Sequence, residues 1–284
     1  MIRIPLYWYR AKPNFGDAFS PLAVRHVLGC DIVPAGKWDC DLVAEGSVLG
    51  FTLLRTGDRV RGWLNRNMRR PLRVWGSGLL FPIGCGVRKN SIRRPDFLAL
   101  RGARTFMELR ALGLLDAHAD VALGDPGIFM PEVLNVGTNG RRGRGFVMHA
   151  VSWENGEARL FAKEHPDIRL IDPRRPPCEV VRDIASCEEV FSSSLHGLVA
   201  ADSLGIPNRW VELETPHADV AANRFKFEDY YSAFDMSRTP CRMRDVATEV
   251  PDDPVPAETI DACKAVLSNA LIAAYGANPG SERA

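Results

Sequence analysis

Short apolar runs alternate with helical patterns along most of the chain. The stretches Ile4–Tyr9, Asp41–Ala44, Arg73–Trp75 and Phe97–Leu100 have strand length, and each gives way to small or polar residues. Ser20-Pro21 supplies an N-cap hydroxyl and a first-turn proline, and Leu22, Val24, Val27 and Leu28 follow at helical spacing before Gly29. That pattern predicts a helix starting at residue 21. Thr105–Leu112 reads as a second helix, closed by Gly113. The stretch 136–145, VGTNGRRGRG, reads as a linker. The series then restarts with strands at Phe146–His149, Ile168–Ile171 and Val190–Phe191, and with a helical pattern at Glu179–Cys187. In Ala257–Tyr275, Ile260, Cys263, Val266, Leu267, Ala270 and Leu271 share one helix face. Strand, loop and helix, repeated on both sides of a linker, predict an α/β fold of two parallel-sheet domains, residues 1–140 and 141–250. Residues 251–284 are expected to form a helix packing back on the body.

Composition narrows the picture only slightly. Hydrophobic residues make up 46% and charged residues 25%, as in ordinary soluble proteins, and the net charge of +1 gives no field toward nucleic acid or acidic lipid. No apolar run approaches the roughly 20 residues of a membrane span, and MIRIPLYWYR is a poor signal peptide, so a cytoplasmic protein is expected. The seven cysteines form no C-x-x-C pair and read as reduced thiols. Metal-ligand spacing, G-x-G-x-x-G, Walker A, the nucleophile elbow and H-E-x-x-H are all absent from the sequence. No metal and no cofactor are expected on that basis.

The candidate chemistry sits at strand ends. Ser192-Ser193-Ser194 follows a buried strand and precedes a helix whose first turn holds His196. Ser194 is the expected N-cap. Free N–H groups, the positive helix end and an imidazole suit an anion there. Near the start, Asn14-Phe15-Gly16-Asp17 combines a turn-forming Asn and Gly with an acid on the same ligand edge. Arg101 ends a strand, with Arg104 three residues on; basic groups at a helix start call for an anionic partner. Gly76-Ser77-Gly78 and Gly124-Asp125-Pro126-Gly127 are tight loops after strands, and Arg224–Tyr231 is an aromatic-rich helix carrying Lys226.

In this order the segments resemble the polysaccharide pyruvyl transferase family, and within it the exopolysaccharide ketal-pyruvate transferases. The carriers are Asn14–Asp17, Gly46–Leu49, Val74–Gly78, Arg101–Thr105, Gly124–Gly127 and Ser193–Gly197. The resemblance covers roughly residues 4–235. Ser194 stands where many members carry arginine, and the interval from His196 to Lys226 is longer than usual.

The resemblance implies two Rossmann-like domains in a glycosyltransferase-B-like arrangement, with the site in the cleft. It implies transfer of pyruvate from phosphoenolpyruvate to a sugar, forming a ketal and releasing phosphate. By position His196 and Asp17 become catalytic. Asn14, Gly16, Gly76, Ser77, Gly78, Arg101, Arg104, Ser193, Ser194 and Lys226 become substrate-binding. A lipid-linked oligosaccharide acceptor is implied, with work at the inner face of the membrane beside polysaccharide assembly machinery. An alternative is a nucleotide-sugar-dependent glycosyltransferase using Glu212 or Glu214 on a ribose. A non-catalytic sugar-binding subunit is a second alternative, disfavoured by the charged cluster.

Overall fold

A computed structural model describes residues 2–53, 70–83, 93–116, 118–137, 140–154, 156–212 and 220–276. The first half contains β1 (Arg3–Tyr7), α1 (Phe15–Leu28), β2 (Asp31–Pro34), β3 (Leu42–Val43), β4 (Leu72–Ser77), β5 (Pro95–Leu100), α2 (Ala103–Ala111) and β6 (Ala122–Leu123). These strands form one parallel sheet in the order β2-β1-β3-β4-β5-β6.

The second half contains β7 (Arg144–Val147), α3 (Glu157–Glu164), β8 (Ile168–Ile171), α4 (Pro177–Ala185), β9 (Glu189–Ser192), α5 (Leu195–Ser203), β10 (Asn208–Glu212), α6 (Val220–Ser232) and β11 (Cys241–Arg242). Its parallel sheet runs β11-β10-β9-β7-β8. The molecule is therefore α/β with two Rossmann-like parallel sheets.

Strand order decides where a ligand fits. In the first sheet the chain moves from β1 to β2 on one side, then to β3 on the other. In the second it moves from β7 to β8, then to β9 on the opposite side. Each reversal leaves a crevice at the carboxyl ends of the strands, the usual ligand position in open α/β sheets.

Helix α1 holds the two crevices in register. It packs on α4 from the second half, on the final helix α7 (Ala257–Tyr275), and on the turns at Pro126–Phe129 and Met130–Val133. Its inner face is Phe15, Phe19, Ala23, Val24 and Leu28, all buried. A fully buried phenylalanine stabilises by about 2–3 kcal/mol. One apolar cluster runs from Ile4 and Leu6 through α1 to Val190, Leu198 and Ile206, so the core is continuous across both sheets.

Helix α7 lies against β4, β5 and β6. The Trp75 indole donates to the Leu267 carbonyl at 2.8 Å, and the Arg73 guanidinium stacks over Tyr275 at 4.3 Å. No described helix is long and apolar enough to cross a membrane.

The start of α1 differs from the sequence expectation. The helix begins at Phe15, six residues before Pro21, and Asn14 rather than Ser20 is its N-cap. The Asn14 Oδ1 accepts from the Gly16 N–H at 3.0 Å, a local bond that outcompetes a later start. Ser20 and Pro21 lie inside the helix, where the proline lacks the N–H that would bond the Asp17 carbonyl. Gly29 ends it in the left-handed region at φ 58°, as expected. The described cysteines are all free, and Cys85 lies outside the described residues.

Candidate active site

The two crevices face each other across a cavity of about 470 Å³. Its walls come from the loops after β1, β3, β7 and β9, with Lys226 reaching in from α6. Of the residues singled out in the sequence, Asn14, Asp17, Ser194, His196 and Lys226 line it.

Each wall has a local cause. After β9, the Ser192 Oγ accepts from the Ser194 N–H at 3.1 Å and lies 2.7 Å from the Ser194 carbonyl, tightening the turn into α5. The Ser193 Oγ accepts from the His149 N–H at 2.9 Å, tying the ends of β7 and β9 together. Ser194 occupies the N-cap with extended backbone, as expected, although its side chain makes no capping bond. Ser194 lines the cavity, and the turn is shaped by Ser192 instead.

Gly76 and Gly78 build the floor without lining it. Gly76 has φ +75°, and the Pro126 ring fills the space of its missing Cβ. The Ser77 Oγ donates to the Gly46 carbonyl at 2.8 Å, and the Gly78 N–H donates to the same carbonyl at 3.0 Å.

Gly16 joins the early motif to the late one. A Cβ there would lie 1.9 Å from Nδ1 of His196, so the imidazole rests against the bare α-carbon. The other ring nitrogen points inward. Nε2 lies 3.0 Å from Oε1 of Glu45 and 3.9 Å from Oδ2 of Asp125. Glu45 follows β3, and Asp125 follows β6 and caps the turn at Pro126–Phe129 by accepting the Gly127 N–H at 2.9 Å.

Burial governs the charges. Removal from water pushes the Glu45 carboxyl well above the usual range, helped by Asp125 and Asp17. Burial raises Asp125 to about 6, opposed by the Gly127 N–H and Arg101. It raises Asp17 to about 7, with Lys226 opposing and Asp125 reinforcing. Lys226 falls to about 8 through burial and Arg101, with Asp17 partly restoring it. Burial and the nearby Lys226 lower His196 and His149 to about 3, with further lowering by Arg101 at His196 and by Lys12 at His149. Both imidazoles are neutral near pH 7.

The two arginines are placed otherwise than expected. Arg101 is fully buried and spends its guanidinium inside the protein. Nε donates to Asp229 at 2.9 Å, one Nη to the Ser47 Oγ and the other to the Leu79 carbonyl, both at 2.6 Å. Asp229 also accepts from the Thr105 N–H and hydroxyl, both at 2.7 Å. The anion demanded at the start of α2 is thus this chain's own aspartate, and Arg101 is not among the residues that line the cavity. Arg104 is half exposed, pairs with Glu228 at 3.1 Å, and does not line the cavity.

Sequence reading missed Lys12, Glu45, Ser47 and His149 as site residues, and named Asp125 only within its loop. A usable signal existed for Glu45 and Asp125: each is the first acid after a short apolar strand, the edge where α/β ligands bind. Lys12 and His149 sit in loops with no pattern of their own. For the glycosyltransferase alternative, Glu212 is held by Arg224 through bonds of 2.6 and 2.7 Å, and Glu214 lies outside the described residues.

Two facing parallel sheets, and a cleft lined by Asp17, two lysines and neutral histidines between their switch points, define an α/β enzyme-like site. The chain belongs to the polysaccharide pyruvyl transferase family, whose model matches residues 4–214. It is 30% identical over 246 residues to the succinoglycan biosynthesis protein ExoV of Rhizobium meliloti (strain 1021), covering 84% of this chain and 67% of that one. It is 28% identical over 147 residues to the uncharacterized protein L143 of Acanthamoeba polyphaga mimivirus, covering 49% of this chain and 48% of that one. The chain thus spans about half to two thirds of the length of these relatives. A functionally uncharacterized Klebsiella pneumoniae protein, KP1_0663, superposes with a TM-score of 0.43 at 15% identity, covering 84% of this chain and 92% of that one.

Proposed function

We propose that the chain transfers pyruvate from phosphoenolpyruvate to a sugar of an exopolysaccharide repeat unit, forming a ketal and releasing phosphate. The observation that carries this reading is that Asp17 and Lys226 both line the cleft, with the carboxyl raised to about 7 and the ammonium lowered to about 8. Such a pair accepts and returns protons near neutrality while keeping a cation for an anionic donor.

The donor carries a phosphate and a carboxylate. Lys226, Lys12 and the first-turn N–H groups of α5 are cationic and donor groups at the cavity. They take the role that the sequence gave to Arg101 and Arg104. His196, held between Gly16 and Glu45, shapes the inner wall, and its neutral ring adds no standing positive charge.

The reaction needs two hydroxyls. The first adds to C2 of the enol while Asp17 gives a proton to the methylene carbon and the hydroxyl proton passes to the phosphate, giving a methyl group and a tetrahedral phosphate ester. The C–O bond to phosphate then breaks and the protonated phosphate leaves. The second hydroxyl adds to the same carbon, and its proton restores Asp17. The acceptor is a lipid-linked oligosaccharide, met by peripheral contact at the cytoplasmic face of the membrane.

Incubation with phosphoenolpyruvate and lipid-linked oligosaccharides tests this. Stoichiometric phosphate release with the mass gain of one pyruvyl ketal is expected. Transfer of a glycosyl group from a nucleoside diphosphate sugar, with phosphoenolpyruvate untouched, would establish the alternative instead.

A further inference from the structure

Glu45, Asp125 and His196 follow three separate strands, yet each offers one ligand atom, and these atoms all lie within 4.8 Å of one another. All three residues are buried. Four of their atoms have no hydrogen-bond partner: both carboxylate oxygens of Glu45, Oδ2 of Asp125 and Nε2 of His196. A buried polar atom without a partner costs about 1–3 kcal/mol, more when charged. Four at one point, inside a well-bonded neighbourhood, need a reason.

A proton alone is a poor one. A single proton between Glu45 and His196 serves Oε1 and Nε2 but leaves Oε2 of Glu45 and Oδ2 of Asp125 bare. Nor, among the described residues, is a neighbouring cation free to serve them. Arg101 is spent on Asp229, Ser47 and Leu79, and the Lys226 ammonium sits at the cavity beside Asp17. Two carboxylates and one neutral imidazole are balanced by one divalent ion, which also meets three directions at once.

The spacing agrees. Ligands at about 2.1 Å from one ion lie about 3.0 Å apart at right angles and about 4.2 Å apart across it. The observed separations from Nε2 are 3.0 Å to Glu45 and 3.9 Å to Asp125. The second carboxylate oxygen of Asp125 is already turned away to the Gly127 N–H at 2.9 Å, leaving Oδ2 aimed at the imidazole. Gly127 has no side chain to intrude; a Cβ there would lie 3.4 Å from Oε1 of Glu45.

We propose that Glu45, Asp125 and His196 form a binding site for one first-row divalent transition ion. The mixed oxygen and imidazole set favours Mn²⁺ or Zn²⁺. Ca²⁺ wants six to eight oxygens, more than the described residues offer here. Sequence spacing excludes such a site only because its ligands lie on three different strand ends; the fold brings together what no short motif can show. The site stands on these side chains and does not depend on the identity of the donor.

The test uses the full chain, stripped with a chelator and titrated with MnCl₂, free Mn²⁺ being read by electron paramagnetic resonance. One ion per chain is expected, with saturation well below about 1 mM, a raised melting temperature, and displacement by ZnCl₂ but not by CaCl₂. Glu45→Gln and Asp125→Asn should each weaken binding by about tenfold or more. Without metal, both variants should melt at or above the wild-type temperature, since each removes a carboxyl that burial disfavours and that has oxygens without partners. In wild-type protein, Mn²⁺ should broaden the His196 ring signals in proton NMR before those of other histidines, a readout that needs no variant. Absence of binding up to about 1 mM, unchanged binding in the double variant, or broadening that spares His196 would each overturn the site.

Discussion

An alanine at position 16 would place its Cβ 1.9 Å from Nδ1 of His196. Helix propensity alone favours alanine over glycine by about 1 kcal/mol, so the sign of the effect separates the two influences. Gly16→Ala is expected to lower the melting temperature and to cut turnover by about 10²-fold, because the imidazole must leave its place. A stabilised and active variant would reject this packing. Asp17 gives the second test at this scale. Its usual carboxyl value of 3.8 rises to about 7 on folding, so the native state holds a proton that the unfolded chain has already lost between those values. Its contribution to stability is present below the usual value and lost as pH rises through about 7. Asp125 acts in the same direction, while His196 and His149, both lowered to about 3, destabilise as pH falls from their usual range. Asp17→Asn is therefore expected to raise the melting temperature more at about pH 8 than at about pH 5. It should also remove the limb near neutral pH from the profile of kcat/KM. A melting difference independent of pH would show that Asp17 is ionised throughout.

At the scale of elements, α1 carries the clearest lesson about reading the sequence. Its apolar face, its glycine stop and its place after the first strand were all legible, because they follow from helical spacing and from the freedom of Gly29. Its start was not, because two good starts lie six residues apart and the proline drew attention to the later one. The short strands β2, β6 and β11 carry no pattern that stands out from loops, at four, two and two residues. The site was legible where its residues sit in a distinctive run, as at Asn14–Asp17 and Ser192–His196. It was not where a single acid or lysine follows a strand, as at Glu45, Asp125 and Lys12, since their meeting is set by strand order. Asn14→Ala is expected to cost about 1 kcal/mol through loss of the cap bond to Gly16, with a larger fractional loss of turnover than of stability. Urea unfolding and phosphate release from the same preparation measure the two; loss of stability with full turnover would show that the cap does not position the site.

At the scale of the whole molecule, the fully buried pair of Arg101 and Asp229 ties the two halves together. Arg101 leaves the end of β5 in the first sheet, and Asp229 comes from α6, which follows the last long strand of the second. The same aspartate caps α2 through Thr105, and the same arginine fixes Ser47 in a cavity loop. Both side chains are fully buried, so removing one partner leaves the other charge unpaired in a medium that solvates it poorly. Arg101→Ala is therefore expected to lose about 3–5 kcal/mol of unfolding free energy. Because Lys226 lies one turn before Asp229 on α6, freeing that helix should also disturb the donor end of the cleft. A direct donor contact makes the opposite forecast: KM for phosphoenolpyruvate rises while urea unfolding stays as in the wild type. The double variant Arg101→Met with Asp229→Asn completes the comparison, since it removes both charges together. It should recover much of the stability lost by Arg101→Ala, which a residue serving only to bind substrate would not do.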